Sequence, residues 1–202
     1  LASPDKTPLV AALYVETNGI YYGLDGVDPW DEQRDARLYD GPHPVVAHPP
    51  CKSWSLMGQC RPETVAAGDG GTFAAALEAV ETFGGVLEHP AHTRAWKVFG
   101  LPRPATPGGW VANLTRKGWA TVVDQRRYGH RANKWTWLYY VGPEPPPMRW
   151  GPGPPGISVR NDGGGGRDQR SRTPVEFRDA LLGLARFSAA PLYESEGVTS
   201  VG

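Results

Sequence analysis

The segment 45–58, VVAHPPCKSWSLMG, sets a cysteine directly behind two prolines and a short apolar run. The run reads as a buried strand, and Pro49 and Pro50 fix the backbone as it leaves that strand. Cys51 therefore falls at the carboxyl end of a strand, where open α/β sheets bind their ligands. A thiolate held there can attack an electrophilic carbon. Packing is the ordinary use of a buried cysteine, but the setting Pro49-Pro50-Cys51-x-x-x-Ser55 favours the nucleophile. Pro50, Ser53, Trp54 and Ser55 surround it.

Two further polar segments follow in the chain. Glu88-His89-Pro90 closes the next strand-like run, so Glu88 is a strand-end carboxylate. Asp124-Gln125-Arg126-Arg127 closes another run and opens a basic turn that reaches Lys134. Taken alone, each has a plain alternative: a salt-bridged carboxylate in the first case and a solvated turn in the second.

In this order and on these elements, the three segments resemble the catalytic half of the DNA cytosine-5 methyltransferases. The resemblance covers residues 45–141. It implies that Cys51 adds to carbon 6 of a cytosine and that Glu88 contacts ring nitrogen 3 and the exocyclic amine. It also implies that Gln125 and Arg127 match the family's Gln-x-Arg, whose arginine reaches the base or a nearby phosphate. A guanidinium there would lower the pKa of Cys51. Pro50, Ser53, Trp54, Ser55, His89, Arg126 and Lys134 are the further implied substrate contacts, Trp54 by stacking on the base, with His89 standing where the family has asparagine.

The implied methyl donor is S-adenosylmethionine, with Glu16, Gly19 and Asp28 as its contacts. The stretch 13–24 lacks the family's Phe-x-Gly-x-Gly loop, however. The His-Pro-Pro-Cys segment, the Glu-x-Pro strand end and Lys134-x-Thr136-Trp137-Leu138 also resemble small phage-encoded DNA methylase-like proteins. That likeness implies a phage gene product in a bacterial cytoplasm. The alternatives are a base- or nucleotide-modifying enzyme that uses another electrophile, and a non-catalytic nucleic-acid-binding relative.

The elements that must position these residues show in the periodicity. Residues 9–15, 45–48, 86–88, 120–125 and 135–141 read as strands. Asn18-Gly19 before Ile20-Tyr21-Tyr22 reads as a hairpin, and 28–39 as a short helix or turn. Phe73, Leu77, Val80 and Phe83 give residues 72–83 one helical face, so strand, helix and strand around them form a parallel βαβ unit. A capping box starts the last helix at Thr173, with Pro174 at its first position.

The expected fold is a Rossmann-like α/β domain over 9–188. It has a mostly parallel sheet, an antiparallel carboxyl-terminal hairpin and a shortened methyltransferase-type core. Residues 1–8 and 189–202 are expected to be flexible. The long segment 143–172 is expected to be a substrate-facing loop, poorly ordered without ligand.

The chain has 202 residues, and its 21 basic side chains balance its 21 acidic ones. The charge is uneven, though. Residues 1–50 carry eight acidic and three basic side chains, and residues 115–172 carry eleven basic and four acidic. The basic half suits a phosphate-bearing partner, DNA or a pyrimidine nucleotide. Two cysteines make no disulfide framework, and an intracellular chain is expected. No apolar run approaches a membrane span, and no protein partner is implied. His48, Cys51, His89, His92 and His130 invite the thought of zinc, but without a Cys-x-x-Cys pair no metal is expected.

Overall fold

The computed structural model describes residues 9–54, 68–156 and 172–189. Seven strands form one sheet: β1 (Val10–Leu13), β2 (Val27–Trp30), β3 (Val45–Ala47), β4 (Gly85–Pro90), β5 (Val111–Ala112), β6 (Trp119–Asp124) and β7 (Trp135–Val141). Their order is β2-β1-β3-β4-β7-β6-β5. The pairings β2–β1, β1–β3 and β3–β4 are parallel, and β4–β7, β7–β6 and β6–β5 are antiparallel. The sheet is thus half parallel by pairing, and the expected carboxyl-terminal hairpin is extended by β5.

Period-two alternation sorts the strand residues to two faces. Ala11, Leu13, Val45, Ala47, Leu87, Trp137 and Tyr139 pack under helix α1 (Thr72–Phe83), with Ala95 and Trp96 of the short helix α2 (Arg94–Val98). Val10, Ala12, Val46, Val86, Leu138 and Tyr140 pack under helix α3 (Val175–Ser188), against Phe177, Leu181 and Leu184. Helices on both faces of a parallel core leave the strand ends as the free edges. Among the described residues no helix is long and apolar enough to cross a membrane.

Three local expectations are corrected. Residues 18–22 form turns, and β1 pairs in parallel with β2 instead of folding back as a hairpin. The cause lies at the end of β2. Asp31 accepts hydrogen bonds from Thr17 Oγ1 at 2.7 Å and Tyr22 Oη at 2.6 Å, which ties the loop to the strand's carboxyl end. The stretch 28–39 is largely β2 and turns, with a single 3-10 turn at Ala36–Leu38. Pro29 is tolerated because β2 is an edge strand. Helix α3 begins at Val175 with no side-chain cap, and Glu176 is drawn away to Arg149 at 2.5 Å.

The described part of the segment 143–172 is a packed strap. Met148 and Trp150 join the core under α3, and Trp150 Nε1 donates to Thr121 Oγ1 at 3.0 Å. Residues 157–171, with the glycine run at 163–166, lie outside the described residues, as do the termini 1–8 and 190–202, Ser55 and Cys60.

Candidate active site

β1 is the point at which the strand order reverses. The chain passes from β1 to β2 on one side, and β3 returns to pair on the other. Two loops diverge at such a switch point and leave a crevice at the carboxyl edge. A cavity of about 630 Å3 lies there, within the size range of small-molecule sites. Tyr14, Val15 and Glu16 line it from the end of β1, and Gly19, Ile20 and Tyr21 from the turn beyond. His48, Pro49, Pro50 and Cys51 follow β3, Glu88 and Pro90 end β4, and Lys134 precedes β7. Arg172 and Thr173 close the cavity ahead of α3.

Glu88 is the hub. The β3–β4 register Val46–Val86 and Ala47–Leu87, carried one residue further, brings His48 opposite Glu88. His48 Nδ1 lies 3.1 Å from Glu88 Oε2, and its Nε2 lies 2.8 Å from Tyr21 Oη. An ionised carboxylate only accepts, so His48 Nδ1–H donates to it, and Nε2 and the Tyr21 hydroxyl form the second bond of the relay. Gln125 Nε2 donates to Glu88 Oε1 at 3.1 Å and to Thr136 Oγ1 at 2.8 Å. Each carboxylate oxygen keeps a further lone pair for a ligand.

Burial on its own would raise the pKa of Glu88. The His48 hydrogen bond and the charge of Lys134 outweigh it and bring the value down to about 2. Glu88 is therefore an anion at neutral pH.

Cys51 is a free thiol, partly exposed to the cavity. Burial raises its pKa and the Glu88 carboxylate raises it further, while Lys134 acts in the opposite sense. The cation that favours the thiolate is thus Lys134, where a guanidinium from Arg127 was expected.

Of the sequence-derived residues, the cavity gathers Cys51, Glu88, Pro50, Lys134, Glu16 and Gly19, and Gln125 joins through its bond to Glu88. The others are placed elsewhere. Alternation along β4 sends His89 to the opposite face, fully buried with its ring against Phe73. Trp54 packs on Phe73 and Phe99 and donates to Asp69 at 2.9 Å, so its indole is spent on the core. Ser53 donates to Gly68 O. Arg126 pairs with Asp124 at 2.6 Å and reaches Pro154 O, and Arg127 reaches Pro152 O. Both arginines thereby hold the strap. Asp28 binds Arg34 and Trp30 Nε1 on the outer edge.

Sequence reading passed over Tyr14, Tyr21 and Arg172, and it weighed His48 only as a metal ligand. The available signal was the two-residue spacing from Val46, which puts His48 on the face of Glu88. Among the described residues no group of three or more His, Cys, Asp or Glu side chains could hold a metal ion. A second cavity, of about 620 Å3, lies between α3 and the strap at 146–149 and contains no cysteine or histidine.

S-adenosylmethionine would need acceptors for its ribose and donors for its carboxylate. Glu16 is exposed at the cavity, and among the described residues its carboxylate pairs with no cation. The Gly19 N–H, however, is given to Glu16 O. The carboxylate at the end of β2, Asp31, is filled by Thr17, Tyr22 and the Gln33 N–H. Of the expected contacts for this donor, Glu16 thus remains available at the cavity, while the Gly19 N–H is spent within the loop. No protein-family model matches the chain, and no curated protein shows significant similarity to it.

Proposed function

We propose that this protein modifies a pyrimidine, with cytosine as the natural choice, through covalent addition of Cys51 to ring carbon 6. The observation that supports it is the convergence of Cys51 and Glu88, 37 residues apart in sequence, on one switch-point cavity. The scaffold on this reading is a shortened Rossmann-like methyltransferase core.

In the proposed step the sulfur–carbon 6 bond forms, and the carbon 5–carbon 6 π pair moves to make carbon 5 an enamine-type nucleophile. The Glu88 carboxylate accepts from the exocyclic amine, takes up the proton that the Cys51 thiol gives up on addition, and passes it to ring nitrogen 3 as electron density moves onto the ring. His48 and Gln125 hold Glu88 in position. When the ring shares the charge of Glu88, one cause of the raised Cys51 pKa weakens, so ligand binding itself favours the thiolate. An electrophile adds at carbon 5, the carbon 5 proton leaves, and sulfur is eliminated. Where a proton is the electrophile, the net result is hydrogen exchange at carbon 5.

That exchange is the test, because it requires no donor. Incubation in D2O with 2′-deoxycytidine 5′-monophosphate or a cytosine oligonucleotide should give deuterium at carbon 5 by mass spectrometry. Cys51→Ser should abolish it, because a serine hydroxyl stays protonated. Glu88→Gln should slow it, and Cys60→Ser should exchange normally. Exchange persisting in Cys51→Ser, or absent from the wild type, would remove the proposal.

A further inference from the structure

We infer that Lys134 and Arg172 form the phosphate-binding wall of this cavity, so that its ligand is a phosphorylated pyrimidine nucleoside and not a free base. The inference rests on the pyrimidine reading above. The two residues come from distant parts of the chain, the start of β7 and the approach to α3, yet they meet: Lys134 Nζ donates to Arg172 O at 3.2 Å. Both line the cavity that contains Cys51 and Glu88.

Their charges are not consumed in ion pairs. Arg34, Arg37, Arg116, Arg126, Arg149 and Arg178 each pair with a carboxylate. Among the described residues Lys134 and Arg172 pair with none. Of the other acids of the cavity, Glu88 feels the Lys134 charge but makes its hydrogen bonds to His48 and Gln125, and Glu16 enters from the β1 side.

A cytosine nucleotide matches this division. Its base edge presents an amine and ring nitrogen 3 to Glu88. Its remaining strongly polar group is the phosphate, for which adjacent Lys and Arg side chains are the usual partners. Arg131 is exposed in the turn that leads to Lys134 and adds a third basic side chain to this stretch. The phosphate could belong to a free nucleotide or to a strand, and the two sources share this chemistry.

Calorimetric titration of the full chain with 2′-deoxycytidine, its 5′-monophosphate and a single-stranded oligonucleotide containing one cytosine tests the inference. The monophosphate should bind about tenfold or more tightly than the nucleoside. Arg172→Gln and Lys134→Gln should each bring that ratio down to about twofold or less. An oligonucleotide that binds more tightly than the monophosphate and is weakened by Arg131→Gln identifies a strand as the source. Equal or weaker oligonucleotide binding identifies the free nucleotide.

A ratio near one in the wild type, or a ratio unmoved by both substitutions, overturns the inference. If neither cytosine ligand binds, the pyrimidine reading fails by itself. Inorganic phosphate then judges the wall: binding that is lost in both variants upholds it, and no binding removes it.

Discussion

The thiol of Cys51 is set between two opposed charges, and their balance decides when it can react. Burial and Glu88 hold it protonated, and Lys134 pulls towards the thiolate. In a Cys60→Ser background, where Cys51 is the one thiol left, Glu88→Gln should speed iodoacetamide alkylation at pH 8, because it removes a neighbouring anion. Lys134→Gln should slow it, and each change should be several-fold. Quenched mass spectrometry gives the rates, and equal rates in all three proteins would show that neither charge reaches the sulfur. Cys51 and Glu88 were legible as cavity residues because strand ends in α/β sheets border the crevice. Arg127 and Trp54 were not. Their types suit a nucleic-acid site, but only tertiary packing decides whether a side chain faces the cavity or the strap.

The central elements are placed by backbone contacts that tolerate little change. Gly85 opens β4 at φ 113, and a Cβ there would run into the backbone of Val45 in β3. Gly85→Ala should therefore strain the β3–β4 ladder that aligns His48 with Glu88. Such a clash in a left-handed position should cost on the order of 2–4 kcal/mol, read as a fall in the urea midpoint. A midpoint within error of the wild type would show that β4 can shift freely.

Helix α1 and strands β4, β6 and β7 were readable because each pairs a clear period with flanking glycine or basic turns. The hairpin at Asn18-Gly19 was misread for a specific reason. A local turn signal says nothing of Asp31, twelve or more residues on, whose carboxylate captures Thr17 and Tyr22. The strand β2 was hidden by Pro29, which marks an edge position as readily as a break.

At the scale of the whole molecule, helices on both faces of the sheet bury the carboxyl end of β4, and two adjacent ionisable residues sit there on opposite faces. Burial lowers the pKa of His89 to about 4, against the opposing pull of Glu88 and the nearby Pro50 carbonyl. Neither of its ring nitrogens reaches a partner at hydrogen-bonding geometry. Glu88 is lowered to about 2. Both depressions act in the same direction: the unfolded chain takes up protons that the fold refuses, so stability is lost as pH decreases. The His89 contribution is complete above about pH 6.5 and is lost as pH falls through about 4. That of Glu88 is complete above about 4.5 and is lost as pH falls through about 2. Each shift corresponds to on the order of 3 kcal/mol. Urea unfolding across pH 3–8 should therefore show stability declining in two stages. His89→Asn should flatten the upper stage and leave the lower one, and Glu88→Gln should do the reverse. A single acid transition unaffected by His89→Asn would mean that the ring takes up its proton inside the folded core.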